Sequence, residues 1–418
     1  MKVLIINTSE RVGGAAIAAS RLMDALQSNG VQAKMLVCKK QSNHDFVISL
    51  NKPIIRFWKF AWERFIIWTN NLFSKKNLFT VSIANTGFDI TQRPEFIEAD
   101  IIHLHWINQG MLSLTNVQNI INSGKPIVWT MHDMWECTGI CHHAYTCNSF
   151  KSICQNCMFL RFPKKKDLAY RIFNKKKEIF QRKALNFVAV SNWLANQARE
   201  SSLLKGKSIQ TIPNTLDLSD FNIYNRNESR QALGLPTNKH ILLFGAARID
   251  DPIKGFTTLL QAIQYLLDKK NYTKEKLHLV TFGTFKYPER IIHQIPIEHT
   301  NMGWIDDKPT ISKLFSAANI TLSTSFYETF GQTLIEAQAC GCVPISFGNS
   351  GQTDIINHQV NGFLADYLSI ESLAKGIEWG LSKGQLIDRE KLRQEVINKY
   401  SSTIVAKQYI QLYKEIII

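Results

Sequence analysis

Glu328 and Glu336, two carboxylates with seven residues between them, stand in the segment S-F-Y-E-T-F-G-Q-T-L-I-E-A-Q-A-C-G that begins at Ser325. An apolar strand-like run, Ile320–Ser323, precedes it, and Leu334, Ile335, Ala337 and Ala339 pattern a helix after it. Backbone amides at such a helix start suit a phosphate or a sugar hydroxyl, and Gly331 allows close backbone approach. Glu328 ahead of the helix and Glu336 on its early turns would reach different ends of one extended, hydroxyl-rich ligand. Taken singly, each glutamate also fits a blander reading, an acid favoured by the helix dipole or a solvated side chain. A second segment, G-A-A-R-I-D-D-P-I-K-G-F over 245–256, brings two cations, Arg248 and Lys254, to the end of the apolar run 241–244. Arg binds a diphosphate as a fork and Lys as a point charge, so together they would offset the charge of a departing diphosphate. Alone, this segment reads as a surface turn with solvated cations.

The elements that must position these residues follow one rhythm. Strand-length apolar runs at 3–6, 33–37, 101–104, 127–130 and 187–190 alternate with helical patterns such as 15–27, and the rhythm restarts at 241–244, 277–282, 320–323 and 343–346. Strands alternating with helices imply parallel, doubly wound sheets, whose ligands bind at the carboxyl ends of the strands. The expected architecture is α/β, two tandem Rossmann-like domains facing a cleft, with boundaries at 1–218 and 219–401 and a terminal helix over about 402–418 returning to the first domain. The linker is placed in the polar stretch 214–227.

The two segments together resemble the retaining glycosyltransferases of family four, which have the GT-B fold. R-I-D-D-P-I-K-G is similar to that family's diphosphate site and Glu328 with Glu336 to its E-x7-E pair; Gly13-Gly14, Ser191 and I-P-N-T-L-D over 212–217 extend the likeness along nearly the whole chain. The resemblance implies that Arg248 and Lys254 hold the donor diphosphate and that Glu336 accepts from the ribose hydroxyls. Glu328, with Phe330, Gly331, Gln332 and Thr333 at the helix start, would hold the transferred sugar, and Gly13 and Gly14 would form the opposing wall. The donor would be a UDP- or GDP-sugar, the acceptor a glycan, and no cofactor or catalytic metal would be required. Thr329 stands where the family often has glycine, and Pro344 lies one residue later than its usual proline, which bears on the identity of the sugar.

The run 127–131 leads into His132-Asp133, placing an imidazole at a strand end. By itself such a histidine reads as structural; the resemblance places it beside the sugar's reacting carbon, where it would orient the sugar and stabilise developing charge. His103 and His105 alternate on one strand and could face one way as a metal pair, but no third ligand is evident. Five of the eight cysteines crowd into 137–157, and Cys141, Cys147, Cys154 and Cys157 could close a structural zinc site; buried free thiols or a redox pair are the alternatives.

Between 52 and 68, Lys52, Arg56, Lys59 and Glu63 form a narrow polar stripe on a segment filled with Phe57, Trp58, Phe60, Trp62, Phe65 and Trp68. A basic aromatic helix suits an anionic membrane surface, which would imply a lipid-linked acceptor; packing on the first sheet is the plain alternative. The chain carries 45% hydrophobic residues over 418 positions and a net charge of +15, enough apolar material for two cores and a charge that favours anionic partners. No transmembrane span or signal peptide is read, and a cytoplasmic location, peripheral on the inner face of the plasma membrane, is expected. A basic nucleic-acid-binding protein would explain the charge but neither motif, so no nucleic acid is expected; an epimerase or a hydrolase would keep the fold and change the chemistry.

Overall fold

The computed structural model describes residues 1–181, 185–269 and 272–417, so Arg182, Lys183, Ala184, Lys270, Asn271 and Ile418, the last residue of the expected terminal helix, lie outside the described residues. The chain divides into two compact units, Met1–Thr215 with Val405–Ile418, and Leu216–Ile404.

In the first unit, β1 (Lys2–Ile6), β2 (Gln32–Val37), β3 (Val47–Ser49), β4 (Ile101–Leu104), β5 (Ile127–Met131), β6 (Leu185–Ala189) and β7 (Ile209–Thr211) form a parallel sheet in the order β3-β2-β1-β4-β5-β6-β7. The order reverses direction between β1 and β4, which pair with Val3 beside Ile101 and Ile6 beside Leu104. Loops after these strands open at that switch point, the place where doubly wound sheets bind ligands. Gly13, at φ 94, starts the helix Gly14–Ser28 directly after the β1 loop. On the sheet, Val3, Ile5, Val128 and Val188 pack with Leu22 and Met23 and with Val405, Tyr409, Leu412 and Tyr413 of the terminal helix.

The second unit repeats the plan with β8 (His240–Arg248), β9 (Leu277–Thr284), β10 (Glu298–Asn301), β11 (Ile320–Ser323), β12 (Val343–Phe347) and β13 (Phe363–Ala365), ordered β10-β9-β8-β11-β12-β13 and parallel throughout. Both architectures are Rossmann-like, as the strand–helix rhythm requires. The sequence reading misses β3, β7, β10 and β13, because these edge strands are only three or four residues long and carry no sustained apolar run.

Helix Pro53–Asn70 corrects the expected polar stripe. Glu63 and Arg64 are buried, and the aromatic residues Phe57, Trp58, Trp62 and Phe65 face outward, Trp58 being 66% exposed. Unpaired backbone groups in 78–84 supply the reason. Glu63 Oε1 accepts from the amides of Ile83 and Ala84 at 2.7 and 2.9 Å, and Arg64 donates to the carbonyls of Leu78 and Val81 at 2.5 and 2.9 Å. The two side chains also pair with each other at 2.9 Å. A buried charge is tolerated when it is both paired and hydrogen-bonded, and here the pair closes backbone groups that would otherwise be orphaned.

Candidate functional site

The topology of the second unit explains how two motifs some 70 residues apart in the chain come together. β8 and β11 are neighbours, with Leu242 beside Ile320 and Phe244 beside Leu322, so the loops that follow them lie side by side. The Phe326 amide donates to the Ile253 carbonyl at 2.8 Å, and the Thr324 hydroxyl lies 3.0 Å from the carbonyls of both Lys254 and Gly255. These straps carry Lys254 to Glu328, Nζ to Oε2 at 3.2 Å, with both side chains partly open to solvent. Glu328 is held from behind: its amide donates to Ser350 Oγ at 3.1 Å and its carbonyl accepts from Gly351 at 2.8 Å, while Ser350 Oγ donates to Gln352 at 2.7 Å.

Gly331, at φ 108, begins the helix Gln332–Ala339 without a side-chain cap, and Gln332, Thr333 and Glu336 are partly exposed along it. Phe330 turns inward instead and packs edge-on against Tyr400, centroids 5.7 Å apart, so it offers a ligand only its backbone. Arg248 is held by its own loop, 2.7 Å from Asp251, and Asp250 in turn accepts from the amides of Lys286 and Tyr287 at 2.9 and 2.8 Å. A strong anion would have to draw Arg248 from Asp251. The geometry therefore joins Lys254 with Glu328 directly and places Arg248 at the near end of the same loop.

Gly255 makes this junction possible. It sits at φ 66, and a Cβ there would lie 2.0 Å from the Thr324 carbonyl oxygen. Gly255→Ala should cost at least ~2 kcal/mol of stability, since left-handed strain adds to a backbone clash; a melting temperature within a degree of the parent would refute this.

In the first unit, β4 and β5 carry a cluster of imidazoles. His132 Nε2 lies 2.8 Å from His105 Nδ1, the two rings nearly parallel with centroids 5.1 Å apart. His103, one pleat behind, bonds Tyr413 at 2.6 Å and Thr130 at 2.8 Å, and Thr130 bonds Tyr409 at 2.9 Å. Burial removes solvent from all three histidines and drives their pKa values down, to about 3 for His103 and about 4 for His132. They are neutral imidazoles at pH 7.

Beside them, Asp133 accepts from Trp106 Nε1 at 3.0 Å and lies 2.8 Å from His142 Nδ1, whose Nε2 is 3.0 Å from Ser82 Oγ. Although burial alone would raise it, the neighbouring His142 and hydrogen bonds hold the Asp133 carboxyl at about 2. Ser82, His142 and Asp133 stand in the order of an acyl-transfer triad, yet Ser82 is 2% exposed, which denies a substrate access to the hydroxyl. The chain Asp133–His142–Ser82 ties the loop after β5 to the segment after the aromatic helix. Sequence reading noted His142 only as a histidine inside the cysteine cluster and passed over Ser82, Trp106, Thr324 and Ser350, which have no fixed spacing to one another; the G-N-S-G turn over 348–351 after β12 was the one local signal.

The zinc expectation is corrected. Among the described residues, no group of three or more His, Cys, Asp or Glu is placed to hold a metal ion, and that includes Cys141, Cys147, Cys154 and Cys157 as well as His103 and His105. All eight cysteines are free. Burial pushes the Cys154 and Cys157 thiols up to about 11 and about 12, and Cys154 Sγ accepts from the Gly139 amide at 3.2 Å. Lys176 anchors the cluster, fully buried, donating to the carbonyls of Trp135 and Thr138 at 2.6 and 3.0 Å with its ammonium 3.3 Å from the Trp135 ring centroid.

Comparison with known proteins bears on the whole chain. Residues 12–220, half of it, match the model of Glycosyltransferase Family 4, and residues 225–399 match that of Glycosyl transferases group 1. The chain is 28% identical over 193 residues to the uncharacterized glycosyltransferase MJ1607 of Methanocaldococcus jannaschii, covering 44% of this chain and 47% of that protein. It is 26% identical over 192 residues to the putative colanic acid biosynthesis glycosyl transferase WcaC of Escherichia coli K12, covering 43% and 46%. These alignments span about half the length of the curated relatives. HepE of Anabaena, solved in complex with UDP and glucose, superposes with a TM-score of 0.64 at 15% identity, covering 99% of this chain and 100% of that one, a likeness of fold. The chain thus belongs to the glycosyltransferases of family 4, with a group 1 glycosyl transferase domain as its second half.

Proposed function

We propose that this protein transfers a hexosyl-type sugar from a UDP- or GDP-sugar to a lipid-linked glycan acceptor, with retention of anomeric configuration, in the assembly of a surface polysaccharide. The pairing of Lys254 with Glu328 at 3.2 Å, beside an uncapped helix start and within one loop of Arg248, carries the reading. It sets a cation for a diphosphate next to a carboxylate for sugar hydroxyls. In this scheme Arg248 and Lys254 offset the charge of the leaving diphosphate without a metal ion or other cofactor, Glu336 accepts from ribose hydroxyls, and Glu328 with the backbone of 330–333 holds the sugar. Gly13 and Gly14 approach the phosphates, and His132 orients the sugar at its reacting carbon. UDP and glucose bound to HepE and the colanic acid role named for WcaC support the donor class and the pathway. The test is transfer from a panel of UDP-, GDP- and ADP-sugars, with and without EDTA; if no donor is bound or turned over, or if a sugar nucleotide is epimerised in place, the proposal fails.

The lipid-linked acceptor rests on the helix Pro53–Asn70 and its surroundings. Ile54, Ile55, Phe57, Trp58, Trp62 and Phe65 are exposed on it, and Phe73 and Phe79 continue the surface, each at least 47% open. Lys52, Lys75, Lys76, Lys164, Lys165 and Lys166 are exposed in the same and adjoining segments, and the Arg161 amide bonds Asn71 at 2.5 Å, tying the second segment to the first. Between 46 and 88 the sole carboxylate is Glu63, which is buried. An apolar aromatic face with basic flanks and no exposed acid fits the headgroup region of an anionic bilayer. Among the described residues, no helix is long and apolar enough to cross a membrane. Cosedimentation with phosphatidylserine vesicles should fall about tenfold or more in Trp58→Ser/Trp62→Ser, and the parent should ignore phosphatidylcholine vesicles. Equal binding of parent and variant would overturn the membrane role, and a dimer broken by the same substitutions would assign the face to a second copy of the chain.

A further inference from the structure

The loop after β8 carries anions of its own beside the two cations, and their role is an inference that rests on the transferase reading. Arg248 ends β8 and Lys254 ends the short 3-10 turn Pro252–Lys254 that follows, so one loop brings both cations to one end of the sheet. Like charges so placed repel each other. Each is instead matched to a carboxylate, Lys254 Nζ to Glu328 Oε2 at 3.2 Å and Arg248 Nη2 to Asp251 Oδ2 at 2.7 Å. Arg248 Nε also faces Asp250, whose Oδ1 stands 3.8 Å away. The two aspartates differ in what holds them. The Asp250 side chain is 4% exposed, its Oδ2 accepts from the amides of Lys286 and Tyr287, and its Oδ1 is buried with no hydrogen-bond partner. It is a fixed post that pins the loop after β9. The Asp251 side chain is 36% exposed, and its Oδ1 accepts from the Ile253 amide at 3.3 Å, which caps the turn and aims Oδ2 at Arg248. Water can take the guanidinium's place on that oxygen at little cost, so this is the contact that opens.

We infer that Asp251 is a positioning residue that competes with the diphosphate for Arg248, holding the guanidinium when the site is empty and reclaiming it when the nucleoside diphosphate product leaves. A ligand that needs Arg248 binds only the fraction of molecules in which Asp251 has let go, so its apparent affinity falls by that fraction. The step that gains is release. Once the sugar has gone, the nucleoside diphosphate carries one more negative charge than the sugar nucleotide did, and the same two cations hold it more tightly. A carboxylate capped in place beside Arg248 supplies the guanidinium with a partner at once, so the product departs without leaving an unpaired cation.

The experiment is calorimetric titration of the full chain with UDP and with GDP, at fixed ionic strength with EDTA, comparing the parent with Asp251→Asn, Arg248→Ala and the double variant. Asparagine keeps the oxygen that caps the turn and removes the charge, so the loop retains its shape. The sign of the effect separates the roles: a residue that merely shapes the loop weakens binding or leaves it unchanged when replaced, whereas loss of a competitor tightens it. Asp251→Asn should lower the Kd of the bound nucleotide about fivefold, as expected for release of a partly solvated ion pair. Arg248→Ala should raise it about tenfold or more, and the double variant should match Arg248→Ala within about twofold, because without the guanidinium there is nothing to compete for. With a donor in hand, Asp251→Asn should show product inhibition about fivefold stronger and a donor KM lowered in step. A Kd unchanged or raised in Asp251→Asn, beside weakened binding in Arg248→Ala, overturns the competition and leaves the donor site standing. A gain that persists in the double variant also overturns it, since Asp251 would then act only as a general negative charge. Parental binding by Arg248→Ala, or no binding of either nucleotide by the parent, removes the donor site at Arg248 and the competition with it.

Discussion

Lys254→Ala should lower sugar transfer by ~100- to 1,000-fold while leaving the fold intact, the largest functional effect expected from a single substitution in the second unit. In the proposed scheme the ammonium meets charge that develops on a departing diphosphate, and such charge grows toward the transition state. Its loss should therefore appear in kcat more than in KM. Stability should change by less than ~1 kcal/mol, because the Lys254–Glu328 pair is partly solvated and such pairs contribute little. The pairing also predicts non-additivity. Glu328→Gln in the Lys254→Ala background should cost less than in the parent, since the two groups share one geometry and one ligand. Glu336→Ala should instead raise the donor's Kd about tenfold, as expected for ribose hydroxyl contacts made equally before and during reaction. Fully additive losses for Lys254 and Glu328, or a Lys254→Ala enzyme with parental kcat, would separate the two residues from a common site.

Acid should unfold the first unit well before general carboxylate protonation does. His103, His105 and His132 all have folded pKa values driven below 6.5 by burial, to about 3 for His103 and about 4 for His132; neighbouring histidines add to the fall at His103 and His105, while the Asp133 carboxylate opposes it at His132. A group with a depressed folded pKa binds its proton more readily in the unfolded chain. Stability is therefore whole above the unfolded value near 6.5 and drains as pH falls toward the folded values. Three such groups would cost roughly 4 kcal/mol per pH unit. Glu136 runs the other way: buried, with Asp133 adding repulsion, its carboxyl stays protonated in the fold well above the usual range, so falling pH favours the fold there. The net slope is about two protons, a loss of roughly 5 kcal/mol between pH 6.5 and 4.5, a large part of ordinary domain stability. Urea unfolding followed by tryptophan fluorescence would read this directly, since Trp129 and Trp135 are fully buried near the cluster. A midpoint unchanged between pH 6.5 and 5 would show that the histidines are solvated, and His103→Phe should reduce the slope by about one proton if they are not.

Residue patterns that act locally were legible without coordinates. Both doubly wound sheets follow from apolar runs alternating with helical segments, and the central strands β1, β4, β5, β8, β9, β11 and β12 announce themselves because their apolar runs are buried on both faces. Arg248, Lys254, Glu328 and Glu336 were readable because each motif is a contiguous loop with a strand before it and a helix after it. What spacing could not supply was partnership across the chain. That Lys254 meets Glu328 depends on β8 and β11 being adjacent, and sheet order is a property of the packed sheet.

The same limit explains the errors. Cysteines at intervals that suggested zinc are not grouped to hold a metal ion among the described residues, because ligand geometry depends on how the loop folds and interval counting does not carry it. Lys52, Arg56, Lys59 and Glu63 formed a polar stripe by periodicity alone, yet the orphaned backbone of 78–84 drew Glu63 and Arg64 inward and turned the aromatics out. His132 was visible at a strand end, but its 2.8 Å contact with His105 exists only once β4 and β5 pair. Amino-acid order determined which elements form and which residues carry charge to their ends. Tertiary packing decided which charges are buried, which rings meet and which face of an amphipathic helix meets solvent, because those outcomes turn on desolvation and hydrogen-bond satisfaction between segments distant in the chain.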